Sequence, residues 1–224
     1  MSLRSKILGR IREASEADSS SAARKKAVQQ RIANHQAGVL PYRKRKKQNL
    51  IAMFERKAVD ADATVERCST KEVSKKILEF LRQHNLPAIC RTGRNPKLKK
   101  LLGSKKSSLK ILNGPSDESD MVGLSTAIGG IAETGTLILT SGPENPTTLN
   151  FLPENHLVVI HENNIAMHQE DIWLQLRERY GSSEMPRTIN MITGPSRSAD
   201  IEQTLILGAH GPLRLHILIV SGQI

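Results

Sequence analysis

Gly129-Gly130-Ile131-Ala132-Glu133-Thr134-Gly135-Thr136 runs straight into Leu137-Ile138-Leu139. Further on, Ile192-Thr193-Gly194-Pro195-Ser196-Arg197-Ser198-Ala199-Asp200-Ile201-Glu202 and then Gly208-Ala209-His210-Gly211-Pro212 repeat the pattern, small and hydroxyl-bearing residues beside a short apolar run. Buried strands that empty into glycine-rich, polar turns are how α/β domains build sites for small ligands or phosphates.

Working outward, other short apolar runs are spaced by helical or loop segments. Thr64 to Cys68, Pro87 to Cys90, Leu109 to Leu112, Leu157 to Ile160, Ile189 to Ile192 and Leu215 to Val220 read as strands. Their nearly continuous apolar character fits parallel strands buried on both faces. Thr70 to His84 places Val73, Ile77, Leu78 and Leu81 on one helical face, and His168 to Tyr180 does the same with Trp173, Leu176 and Tyr180. The alternation predicts an α/β fold, a three-layer sandwich. Residues 1–60 differ: they are polar and basic, with a weak stripe of Ile7, Leu8 and Ile11, a Ser19-Ser20-Ser21 cap and a break at Gly38 and Pro41. We read 1–60 as a helical basic arm and 61–224 as the α/β domain.

The chain has 224 residues, enough for one sizeable domain. Aromatics are only 3%, so Ile, Leu, Val, Ala and Met must form the core. No apolar run approaches a membrane span and the N-terminus lacks the apolar stretch of a secretory signal, so a soluble, cytoplasmic chain is expected. Cys68 and Cys90 are the only cysteines. They form no C-x-x-C pair, which leaves no iron–sulfur or cysteine–zinc ligand set within this segment; His156, His161 and His168 are too irregularly spaced for a metal set. The net charge of +11 is lopsided: residues 1–112 carry +19 and residues 113–224 carry −8. A basic half of this kind suits an acidic partner. The run Arg43-Lys44-Arg45-Lys46-Lys47 lacks interleaved aromatics and any nucleic-acid motif, which argues against nucleic-acid binding.

The chemistry-bearing candidates lie in the glycine-rich turns. Glu133 can act as base or nucleophile, and Thr134, Gly135 and Thr136 can hold an oxyanion. In the second turn, Gly194, Ser196, Arg197, Ser198 and Asp200 are the ligand candidates, with Ser198 expected to cap a helix. Asp200 and Glu202 would then lie in that helix's first turn and oppose a phosphate there, which favours a site centred on Arg197. His210, beside Gly211, is a second candidate for acid–base work. Each turn is also explicable as plain backbone geometry.

Taken in order, Gly130 to Thr136, Leu152-Pro153 with His156, Ile192 to Glu202 and Gly208 to Pro212 resemble the LUD-domain family, from about residue 40 onward. Two departures are Ser198, where many members have Thr, and Asn145, Thr147 and Thr148, where many carry an Arg. The resemblance implies a NagB/RpiA/CoA-transferase-like α/β sandwich, to which the helical arm read above adds an N-terminal extension. It further implies a subunit of a system that oxidises L-lactate to pyruvate beside partner subunits carrying iron–sulfur clusters, with no cofactor expected on this chain. The alternatives are a stand-alone enzyme acting on an acyl, CoA or sugar-phosphate substrate, and a non-catalytic assembly subunit.

Overall fold

A computed structural model describes residues 3–14, 22–34, 47–103, 108–181, 184–201, 204–208 and 210–222. The chain separates into Met1–Pro41 and Tyr42–Ile224. The first unit contains α1 (Leu3–Ala14) and α2 (Ala22–Asn34). Leu3, Ile7, Leu8 and Ile11 of α1 are exposed, and α2 buries no side chain. The Ser19–Ser21 cap, the Gly38–Pro41 break and the basic residues Arg43 to Lys46 lie outside the described residues.

The second unit begins with α3 (Lys47–Asp60), followed by β1 (Thr64–Ser69), α4 (Val73–Gln83), β2 (Ile89–Thr92), α5 (Pro96–Leu102), β3 (Lys110–Asn113) and β4 (Val122–Thr126). Next come β5 (Gly129–Ile131), β6 (Thr136–Thr140), β7 (Asn155–His161), β8 (Ile165–Ala166) and α6 (Gln169–Tyr180). The unit closes with β9 (Ile189–Ile192), β10 (Arg197–Ile201), β11 (Thr204–Leu207) and β12 (Arg214–Ser221). Six strands form a fully parallel sheet in the order β1-β12-β7-β4-β2-β3. A smaller sheet, β8-β5-β6-β9, is mostly antiparallel. The runs at Leu137 and Ile189 therefore pair antiparallel in this second sheet, not in the parallel one.

Strand alternation sorts the core into layers. Leu157 and Val159 of β7, with Leu218 and Val220 of β12, face Val73, Ile77, Phe80 and Leu81 of α4 and Leu98, Leu101 and Leu102 of α5. Val158 and Ile160, with Leu215, Ile217 and Ile219, face the other way, onto Ile51, Phe54 and Ala58 of α3 and Leu137 and Leu139 of the small sheet. The small sheet's outer side, Ile131 and Ile138, is covered by Ile172 and Leu176 of α6. The result is a three-layer α/β sandwich, helices on one side of the large sheet and a helix with a small sheet on the other.

Two expectations meet the structure differently. The sequence reading put residues 47–60 with the basic arm. In α3, however, the spacing of Ile51, Phe54 and Ala58 makes one apolar face, and all three side chains are buried in the domain core. The segment after Ser196 is a strand where a helix capped by Ser198 was expected. Gly194 has φ +74°, the Ser196 N–H donates to Pro212 O (2.8 Å) and the Gly208 N–H donates to Ser196 O (2.9 Å). These long-range bonds feed the chain into an antiparallel β10–β11 hairpin with a register shift between Ser198 and Ile201. No helix dipole exists there, so Asp200 opposes nothing of that kind.

Candidate functional site

The two glycine-rich turns do meet. Thr134, Thr136 and Thr193 form a hydroxyl chain, with Oγ1–Oγ1 distances of 2.7 and 2.6 Å. The glycines serve close packing. Gly135 has φ +70°, and a Cβ there would fall 2.4 Å from the Ala58 nitrogen at the end of α3. A Cβ on Gly194 would fall 2.0 Å from the Ala61 carbonyl oxygen. Arg197 pairs with Asp62 in the same α3–β1 turn, and Ser196 packs against Gly211. Thus Gly135, Gly194, Ser196, Arg197 and Gly211 knit the turns to the end of α3 and to the Gly208–Pro212 loop. The side chains of Ser198 and Asp200 lie outside the described ones. Glu133 meets His168, whose Nδ1 lies 3.0 Å from Glu133 Oε2; His168 is buried at the start of α6, while His210 is exposed in its loop. His168, absent from the catalytic and ligand candidates read off the sequence, is the partner of Glu133 in the structure.

A large cleft lies elsewhere. The strand order reverses direction between β2 and β4: β3 lies beyond β2, whereas β7 and β12 lie on the far side of β4. In open parallel sheets the crevice beyond the carboxyl ends of such strands is where ligands bind. Here a cleft of about 1230 Å³ occupies that position. Its walls come from the ends of β2 (Arg94, Asn95), β4 (Thr126, Ala127) and β7 (His161), from the turn after β6 (Gly142 to Asn145), and from Arg179 and Tyr180 of α6. None of the glycine-turn candidates lines it.

The crevice is held by side chains that were not among the catalytic or ligand candidates of the sequence. Asn95 Nδ2 donates to Thr126 Oγ1 at 2.7 Å, tying the ends of β2 and β4 together. Its Oδ1 accepts from the Lys97 and Leu98 amides at 2.9 and 3.2 Å, capping α5. Gly93 lets the turn after β6 lie across the end of β2: a Cβ would fall 2.1 Å from Glu144 O, and the Arg94 N–H donates to Pro143 O at 2.9 Å. Tyr180 and Thr140 share a hydroxyl bond of 2.8 Å. Arg179 lies 5.6 Å over the Tyr180 ring and 4.0 Å from Glu144. His161 accepts from the Asn163 N–H at Nδ1 (3.1 Å), which leaves Nε2 to donate to Gly222 O (2.6 Å). In the wall, Asn145 is 5% exposed, and neither its Nδ2 nor its Oδ1 has a hydrogen-bond partner. A buried polar group left unbonded costs about 1–3 kcal/mol, so this amide is an unusual feature of the cleft.

One signal for this site was present in the sequence: Thr92-Gly93-Arg94-Asn95, small and polar residues after an apolar strand. By itself it does not locate a site, because β4, Val122-Gly123-Leu124-Ser125-Thr126, has too few large apolar residues to announce a strand. Without β4 there is no reversal of strand order to locate.

The two cysteines make poor ligands. Both are buried; burial pushes the Cys90 thiol up to about 12 and, with Glu72 and Glu66 nearby, the Cys68 thiol up to about 11. Among the described residues no group of three or more His, Cys, Asp or Glu is arranged to hold a metal ion, and no helix is long and apolar enough to cross a membrane.

A family model described as the LUD domain matches residues 51–220. The chain belongs to the LUD-domain family. The match starts inside α3, the helix that the structure places in the core. The LUD domain described here is 33% identical over 118 residues to lactate utilization protein C of Geobacillus thermodenitrificans, covering 52% of this chain and 49% of that protein. It is 34% identical over 103 residues to lactate utilization protein C of Halalkalibacterium halodurans, covering 46% of this chain and 45% of that one. An uncharacterized protein of Neisseria meningitidis serogroup B is 42% identical over 98 residues, covering 44% and 41% of the two chains. The chain spans about half the length of the curated relatives it matches. Among solved structures, a DUF162 family protein from Deinococcus radiodurans superposes with TM-score 0.58 at 19% identity, over 80% of this chain and 100% of that one. That likeness concerns the fold.

Proposed function

We propose that this LUD domain serves L-lactate utilization as a cytoplasmic subunit that works with redox-active partners. The observation that carries the reading is its similarity to proteins named lactate utilization protein C. Oxidation of L-lactate to pyruvate releases two electrons and two protons, which an acceptor must take. The buried, proton-holding thiols of Cys68 and Cys90 offer no cluster ligands in this domain, so the electron carriers, iron–sulfur clusters on this reading, belong to partner subunits. The Glu133–His168 pair, with Glu133 next to Thr134 in the chain, is the acid–base candidate within the domain.

Deletion of the gene in a strain with no other lactate dehydrogenase tests the reading. Growth on L-lactate as sole carbon source is expected to stop and to return on complementation, with growth on pyruvate unaffected. Normal growth of the deletion strain on L-lactate would sink it. The partner part is read separately, by co-purification of cysteine-rich subunits with the tagged chain.

A further inference from the structure

The cleft over the β2–β4 crevice is a site of a different character from the glycine turns. At about 1230 Å³ it exceeds what encloses even a drug-sized molecule, roughly 300–1,000 Å³. Lactate, with a handful of heavy atoms, would be lost in it. Its lining is chemically specific. Arg94, Lys97 and Arg179 bring three cations, against the carboxylates of Glu144 and Glu162. Among the described residues, Arg94 and Lys97 make no ion pair, and Glu144 meets Arg179 only at 4.0 Å, with both side chains half exposed. Cationic groups without protein partners at the rim of a concave site favour an anion. The second observation is independent of charge: Asn145, buried in the same wall, keeps a donor and an acceptor unbonded. The floor of Ala127 and Val159 is aliphatic, which suits an organic ligand better than a bare ion.

We propose that this cleft binds a multiply charged organic anion, phosphorylated or polycarboxylated, larger than lactate. Arg94 and Lys97 hold its charged group, and the Asn145 amide pairs with a neighbouring carbonyl or hydroxyl as the Gly142–Asn145 turn adjusts to it. Loss of growth on lactate and loss of ligand binding are separate readouts, so this proposal and the metabolic one fail separately.

The test is titration calorimetry on the full chain at low ionic strength. ADP and ribose 5-phosphate form the phosphate arm, citrate the carboxylate arm, and L-lactate the small-ligand control. We expect one arm to bind with a submillimolar Kd, at least about tenfold tighter than lactate, and the arm that binds names the source of the charge. Arg94→Gln and Asn145→Asp should each weaken that binding about tenfold or more, whereas Lys110→Gln, at the amino end of β3, should not. Circular dichroism and thermal melting confirm that each variant is folded; Asn145→Ser is the second variant should Asn145→Asp fail to fold. The proposal is overturned if neither arm binds below the millimolar range. It is equally overturned if the Arg94 and Asn145 variants bind like wild type, or if Lys110→Gln weakens binding as much as they do, which would mark diffuse surface charge.

Discussion

Mild acid should destabilise this domain through two histidines that play no part in the candidate sites. His156 on β7 is 1% exposed and His216 on β12 is 2% exposed. Burial pushes His156 down to about 3. Burial, helped by His84 and Lys76 and opposed by Glu66, pushes His216 down to about 4. His156 has one polar contact, its Nε2 at 3.0 Å from Ser125 Oγ, and its Nδ1 is unbonded. His216 is stacked on Phe80 at 4.6 Å and bonded to Thr64 Oγ1 at 2.7 Å. In the unfolded chain both titrate near the ordinary value of about 6.5. As pH falls below that value, the unfolded state takes up protons that the folded state refuses, so stability falls with pH until the folded values are reached. Each histidine contributes a slope of about 1.4 kcal/mol per pH unit, or about 2 kcal/mol between pH 7 and pH 5. Together they remove about 4 kcal/mol in that window, a large share of a domain's usual stability of about 5–15 kcal/mol. The carboxylates held below their ordinary values, such as Asp117, Asp120, Glu72 and Glu79, act at lower pH, as they approach protonation. Urea unfolding followed by circular dichroism across the window measures the slope directly. His156→Gln removes one titrating group and should roughly halve it. A wild-type stability that changes by less than about 1 kcal/mol from pH 7 to pH 5, or an unchanged slope in His156→Gln, would refute the reasoning.

Two further substitutions test the packing. Gly135→Ala should destabilise by about 2–4 kcal/mol, since the added Cβ meets the α3 backbone at 2.4 Å in a left-handed conformation, and the drop in melting temperature measures it. Phe54→Ala should cost about 3–5 kcal/mol, because this ring is fully buried beneath the large sheet; a surface-like loss under about 1 kcal/mol would return α3 to the periphery.

Much of the fold was legible in the chain because its reporters are local. Leu157 to Ile160 and Ile217 to Val220 are apolar at consecutive positions, as strands buried on both faces must be, and they became neighbours in the parallel sheet. The helix from Val73 to Gln83 announced itself by spacing alone. The order of the glycine-rich turns identified the family, since that too is a property of the string of residues. What those turns do was decided only in three dimensions. Gly135 and Gly194 answer to the backbone of Lys57 to Ala61, far away in sequence, and Ser198 entered a strand because Ser196 bonds Pro212 and Gly208. The cleft is the clearest case. Arg94, Asn145 and Tyr180 carry no mutual spacing signal, and they converge because strand order reverses between β2 and β4. Sequence periodicity records which side of an element is buried; which elements become neighbours depends on packing whole layers together, and a site built between elements exists only once that packing is chosen.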